Sequence, residues 1–204
     1  MEDALYRSVT EFARDTPGWV RHLAEMGTEG GLLLLATLLL AGWWRARRGD
    51  ARAIALAVLA PLAVLLAYAV SEVAKVAIEE ERPCRAVPGA VQSVAPCPEV
   101  GDWSFPSNHA TLAVGSATAI FLSWRVLAWL AVPVGLLTAF SRVFLGVHYP
   151  HDVLAGAALG ALTVAVVVAA GLEPAAQAME RLRDGPLRPL LQSTPRARSH
   201  ARPR

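Results

Sequence analysis

The sequence predicts an all-α fold: a polytopic membrane bundle of about five transmembrane helices, preceded by an amphipathic helix at the membrane surface. Three observations carry this. Of the 204 residues, 54% are hydrophobic, and the mean hydropathy is +0.41. The apolar residues gather into runs approaching the ~20 residues that a helix needs to cross a bilayer. Arginines concentrate in alternate connections between those runs, as in a chain sorted by the positive-inside rule. The net charge of +2 gives no electrostatic case for nucleic acid. One membrane domain is expected over 1–172, followed by a basic, partly disordered tail over 173–204.

Residues 1–28 interleave Tyr6, Val9, Phe12, Trp19 and Leu23 with Arg7, Glu11, Arg14 and Arg21. That alternation predicts one or two short interfacial helices, broken near Pro17-Gly18. No apolar core of the length a cleavable signal needs is present there. The first span is expected over about Gly30 to Trp44, with Trp43 and Trp44 at an interface. The second runs from about Ala53 to Ile78, the third from Ser107 to Trp124, the fourth from Val126 to Phe144 and the fifth from Asp152 to Ala170. Small residues are frequent in all five, as where helices pack closely in lipid.

Arginine sets the expected orientation. Arg45, Arg47, Arg48 and Arg52 follow span one, Arg125 separates spans three and four, and Arg181, Arg183, Arg188, Arg196, Arg198, Arg202 and Arg204 follow span five. With five spans, all three segments fall on one side, which the rule makes cytoplasmic. The amino terminus, the 79–106 loop and the 145–151 turn then face outward.

The polar groups collect on that outward face. Ser141–Asp152 reads SRVFLGVHYPHD, an arginine, two histidines and an aspartate between two apolar runs. Ionisable groups at the mouth of a membrane helix are costly and point to function. His148 and Asp152 are four apart around Pro150, a spacing that lets the carboxylate hold one ring nitrogen and leave the other working. His151 reads as a surface residue beside Asp152. Lys75, the only lysine among nineteen basic residues, and Arg82 lie seven apart near the end of span two, about 10 Å along a shared helix face. Glu72, one turn below, is placed to pair with Lys75, and Pro83 ends the helix. In FPSNHA, Ser107 or Asn108 caps span three, and the free N–H groups there suit a phosphate. His109 stands in the first turn. Cys84 and Cys97 share the outward loop, where an oxidising exterior permits a bridge; two free thiols are the alternative. Glu99, Asp102 and Trp103 of the same loop read as entrance residues.

The pattern Lys75-x6-Arg82-Pro83, then Pro106-Ser107-Asn108-His109, then Ser141-Arg142-x5-His148-x3-Asp152 resembles the three-part signature of the type 2 phosphatidic acid phosphatase (PAP2) superfamily. Asn108 stands where that family usually has glycine. Within the superfamily, the FPSxH and SRVFLGVHYPHDVLAG segments are similar to bacterial undecaprenyl-diphosphate phosphatases of the bacitracin-resistance type. The resemblance implies His148 as nucleophile through a phosphohistidine, Asp152 as its support and His109 as acid and base on the leaving oxygen. Lys75, Arg82, Ser107, Asn108 and Arg142 would bind phosphate. The implied partner is a membrane lipid phosphate or diphosphate, a polyprenyl diphosphate first and phosphatidic acid or phosphatidylglycerol phosphate second. Cations fill the part a metal would play, so neither metal nor cofactor is called for. A vanadate-dependent haloperoxidase shares the phosphate-site motifs, but five spans argue against it. A non-catalytic scaffold does not require every position of the motifs to be occupied.

Overall fold

The computed structural model describes residues 2–183, and these are helical with connecting turns and loops. Among the described residues, seven helices follow in order: α1 (Glu2–Asp15), α2 (Gly18–Ala46), α3 (Ala51–Ile78), α4 (Pro83–Ala86), α5 (Asn108–Ser123), α6 (Arg125–Phe144) and α7 (Pro150–Arg183). The break expected near Pro17-Gly18 is present, but the second amphipathic stretch is not a separate element. It continues without interruption into the first span as α2.

α2, α3, α6 and α7 are long and apolar enough to cross a membrane. α5, at 16 residues, extends only ~24 Å. It is shorter because it is the enclosed helix, packed against α2, α3, α6 and α7. Its inward positions are mostly small: Ala110, Ala113, Gly115, Ala117 and Ala119 are buried. The neighbours therefore approach backbone to backbone, as lipid-embedded helices do. Gly156 and Gly160 of α7 make the closest approach. A Cβ at Gly156 would collide with the Ser107 carbonyl oxygen, and one at Gly160 with that of Thr111. Leu33, Leu65, Val73, Trp129 and Leu154 point outward from the bundle.

Three expectations need correction. α3 stops at Ile78, with Glu79 in the left-handed region at φ 52°, so Lys75 and Arg82 do not share a helix. Glu79, Glu80 and Glu81 would place three carboxylates at the negative end of the helix dipole, which disfavours continuing it. Pro83 accordingly opens α4 rather than closing α3. Lys75 does not pair with Glu72; its ammonium bonds the Trp103 carbonyl oxygen and lies 3.4 Å from Asp102 Oδ1. Finally, α7 runs through the boundary expected at Glu173 as far as Arg183, and Glu173 pairs with Arg52 at the start of α3. The rest of the expected basic tail, 184–204, lies outside the described residues.

Gly160→Val should lower the unfolding temperature, with a loss of about 1–3 kcal/mol from overpacking. Gly30→Ala, where an added Cβ meets nothing within 4 Å, should leave it unchanged or slightly raised. Thermal unfolding in detergent checks both.

Candidate active site

The end of α3, the loop to α5, the start of α5, the end of α6 and the start of α7 meet at one end of the bundle. The turn from α6 to α7 is held in place by its own backbone and by its neighbours. Gly146 adopts φ 79°, which its missing side chain allows. The Leu145 carbonyl accepts from the N–H groups of Val94 at 3.0 Å and Ala95 at 3.2 Å. The Gly146 carbonyl accepts from the buried Tyr6 hydroxyl at 2.9 Å. α1 is therefore more than an interfacial helix: one face, Tyr6, Thr10 and Ala13, is buried against the site end of the bundle.

This frame presents His148, 2% exposed, beside Asp152, 0% exposed. Asp152 Oδ2 accepts from the Tyr149 N–H at 2.8 Å and from Ser104 Oγ at 2.5 Å, and lies 3.2 Å from His148 Nδ1. Arg82 Nη1 stands 3.1 Å from His148 Nε2. A guanidinium only donates, so Nε2 is the acceptor and the ring proton sits on Nδ1, facing the carboxylate. Burial pushes the His148 pKa down to about 4, with Arg82 acting in the same sense against the Asp152 hydrogen bond. The ring is a neutral base at physiological pH, with its Nε2 lone pair directed at a guanidinium.

Arg82 faces that lone pair, and Lys75 joins Arg82 through Asp102. Arg82 is 3% exposed and Lys75 5%. Arg82 is anchored through Nη1 to the Val147 carbonyl at 3.0 Å and through Nε to that of Asp102 at 2.7 Å. The Asp102 carboxylate lies 2.8 Å from Arg82 Nη2 and bridges it to Lys75. Burial alone would raise the Asp102 pKa, but the hydrogen bond and charge of Arg82, joined by Lys75, hold it below its ordinary value. Arg142 donates from Nη1 to Thr28 Oγ1 at 3.2 Å, while its Nε is buried without a hydrogen-bond partner. A buried donor in that state is costly unless an anion completes it.

Ser107 caps α5, its hydroxyl accepting from the Ala110 N–H. The Asn108 side chain faces α3 instead: Oδ1 accepts from Ser71 Oγ at 2.6 Å, and Nδ2 donates to Glu72. His109 Nε2 is 2.8 Å from Glu29 Oε1 of α2. Cys84 and Cys97 are bonded, with Cα atoms 6.0 Å apart. Closing that loop contributes about 3 kcal/mol in the chain-entropy account.

Several partners escape a reading of the sequence. Ser104 lies just outside the FPSNHA stretch, Asp102 resembles any loop acid, and Thr28 and Glu29 come from α2, whose tertiary neighbours have no local signal. His151 is not simply a surface residue. It stacks on Tyr149 and sits between Glu80 Oε1 at 3.0 Å and Asp152 Oδ1 at 3.2 Å. Glu80, His151 and Asp152 bring ligand atoms within 4.8 Å of one another, a grouping these contacts explain without an ion.

The His148 ring should titrate with a midpoint near 4 by nitrogen-resolved NMR. Because the unfolded imidazole titrates at ~6.5, the folded state is favoured above that pH and loses stability as pH falls toward 4. Asp152→Asn should move the midpoint lower still, and a midpoint at or above 6.5 in the unaltered protein would contradict this geometry.

The PAP2 superfamily pattern matches residues 56–173. Undecaprenyl-diphosphatase BcrC of Bacillus subtilis (strain 168) is 44% identical over 71 residues, 35% of this chain and 34% of that protein. An undecaprenyl-diphosphatase of Sulfolobus acidocaldarius is 33% identical over 100 residues, 48% of this chain and 47% of its own. Decaprenylphosphoryl-5-phosphoribose phosphatase of Mycobacterium tuberculosis (strain H37Rv) is 49% identical over 70 residues, 33% of this chain and 37% of its own. The alignments thus span about a third to a half of these relatives. The fold is similar to that of the transmembrane PAP2 type phosphatidylglycerolphosphate phosphatase from Bacillus subtilis, with a TM-score of 0.61 at 22% identity, covering 83% of this chain and 86% of that one. With its pattern running from α3 into α7 and its helices following the same fold, the chain belongs to the PAP2 superfamily.

Proposed function

We propose that this chain is an integral-membrane lipid phosphatase that removes the terminal phosphate of a polyprenyl diphosphate, undecaprenyl diphosphate first, through a phosphohistidine. The observation that carries the reading is the charge imbalance around His148. Lys75, Arg82 and Arg142 gather at this end of the bundle with Asp102 as a counter-ion, 51% exposed, and with a buried Arg142 Nε awaiting an acceptor. A phosphate group supplies the missing oxygens, and it displaces Asp102 from the two cations it bridges. Phosphoryl transfer needs such neutralisation and positioning above all.

His148 Nε2 attacks the terminal phosphorus, and Arg82 shifts from Nε2 to a phosphate oxygen. The bond from phosphorus to the bridging oxygen breaks, and that oxygen takes a proton from His109, releasing the lipid monophosphate. Asp152 holds the Nδ1 proton and offsets the positive ring. His109, now neutral, takes a proton from water, whose oxygen attacks the phosphohistidine. Inorganic phosphate leaves and His148 is restored. Ser107 holds the α5 N-terminus in place for phosphate contact, and Asn108 contributes through its backbone N–H, since its side chain is engaged with α3.

A groove of about 790 Å³ between α2 and α3 supports a long apolar tail. Leu33, Leu40, Val58, Leu62 and Leu65 line it, and Glu29, which touches His109, stands at its polar end. A chain laid there brings its headgroup to the site without leaving the bilayer. The names of the BcrC and Sulfolobus relatives favour the prenyl diphosphate among lipid substrates. The arginine-rich turn after α2 and the end of α7 lie at the opposite end of the bundle from the site. That supports a cytoplasmic carboxyl terminus and an outward-facing site.

Phosphate release from detergent-purified protein, offered undecaprenyl diphosphate, phosphatidic acid and phosphatidylglycerol phosphate, tests the reading. Undecaprenyl diphosphate should be the preferred substrate, and His148→Ala should lose roughly a thousandfold or more in turnover while staying folded. Strong preference for phosphatidylglycerol phosphate would overturn the substrate, and full activity in His148→Ala would overturn the mechanism.

A further inference from the structure

We propose that Glu29 is the positioning carboxylate of His109, the counterpart of what Asp152 is to His148, and that with Thr28 it makes α2 a working wall of the site. The inference rests on the phosphatase reading above, in which His109 exchanges a proton with the leaving oxygen.

The geometry is specific. Two successive residues of α2 reach side chains on two other helices. Thr28, 4% exposed, accepts from Arg142 of α6, and Glu29 Oε1 lies 2.8 Å from Nε2 of His109 on α5. Neither residue falls within 56–173, the part matched by the family pattern. Stability does not account for the Glu29 contact. Its side chain is 67% exposed, and ion pairs at such exposure contribute little to folding. Orientation does account for it. A carboxylate on one ring nitrogen fixes the tautomer and turns the other nitrogen to its task. With Glu29 accepting from Nε2–H, Nδ1 becomes the nitrogen that hands its proton to the leaving oxygen and later takes one from water. The same carboxylate favours the protonated ring, which the first step requires.

The site then holds two imidazole–carboxylate pairs in opposite settings. His148–Asp152 is sealed and surrounded by cations, which suits a neutral nucleophile. His109–Glu29 is less enclosed, and Glu29 lines the groove between α2 and α3, which suits an acid that must meet the leaving group of an incoming lipid. The charged groups facing His109 are Glu29 from α2, Arg142 from α6 and Arg82 from the loop ahead of α4. Glu29 is the one among them that favours the ring's charged form, so its removal has a definite sign.

Steady-state kinetics of the full chain on undecaprenyl diphosphate, with Glu29→Gln, Glu29→Asp and His109→Ala, provide the test. Glu29→Gln should lower kcat by about tenfold or more, by analogy with the loss of the carboxylate behind a metal-ligating imidazole. KM should stay within about twofold, because the phosphate-binding cations are untouched. The alkaline limb of the kcat profile should move to lower pH, since the acid form is lost earlier. Glu29→Asp should recover part of the rate, and the unfolding temperature of all three should match the unaltered protein. A Glu29→Gln kcat within twofold of the unaltered protein, or an unmoved alkaline limb, overturns the role of Glu29. Full activity in His109→Ala overturns it through the underlying reading, and the two failures are told apart by that third variant.

Discussion

The site depends on one carboxylate. Asp152 Oδ2 gathers His148 Nδ1, the Ser104 hydroxyl and the Tyr149 N–H, while the Asp152 carbonyl accepts from the Ser107 N–H at 3.0 Å. Through that residue, the loop before α5, the start of α5, the α6–α7 turn and α7 are tied to one point. A buried carboxylate is costly to leave unsatisfied, and all three donors fall on Oδ2, while Oδ1 has no hydrogen-bond partner and lies 3.2 Å from His151 Nε2. The backbone contact of α5 with α7 through Gly156 and Gly160 serves the same end, since it sets the distance across which Ser107 meets Asp152.

Around this fixed point the electrostatics are arranged by opposition. Burial and Arg82 favour the neutral His148 ring, and Asp152 chooses which nitrogen keeps the proton. Lys75 and Arg82 are almost fully buried, a condition that membrane proteins tolerate only where charges are paired or face a polar cavity. Asp102 provides the pairing from a half-exposed position in the loop before α5. The counter-ion is thus the most accessible member of the cluster, which suits it to be exchanged for a phosphate.

Much of this was legible in the sequence, for reasons that can be named. Long apolar runs and the segregation of arginine mark the helices, because bilayer thickness and charge asymmetry act on composition. The motif residues are legible by side-chain type and spacing: Ser107 caps α5, and His148 meets Asp152 across one turn. What was not legible depends on tertiary neighbours. The second span ends near Ile78 as expected, but the helix does not carry on to Pro83; the run of glutamates that stops it ahead of Arg82 looks compatible with a longer helix. Lys75 turns to Asp102 rather than to the nearer Glu72, which is taken up by Asn108. Ser104, Thr28 and Glu29 carry ordinary surface chemistry in ordinary local sequence, and only the packing of α2 and of the loop before α5 brings them to the histidines. His151 looked peripheral because adjacency to Asp152 in sequence says nothing of the Tyr149 ring and Glu80 that enclose it.

The central claim is that the Nε2 of a neutral His148 takes the phosphoryl group. The most direct measurement is rapid quenching of the purified protein with undecaprenyl diphosphate labelled in its terminal phosphate, followed by mapping of the protein-bound label. The account predicts a label that is stable to base and lost in acid, carried on the peptide containing His148 and absent from His148→Ala. Turnover without any such label in the unaltered protein, or an equal label in His148→Ala, would contradict it.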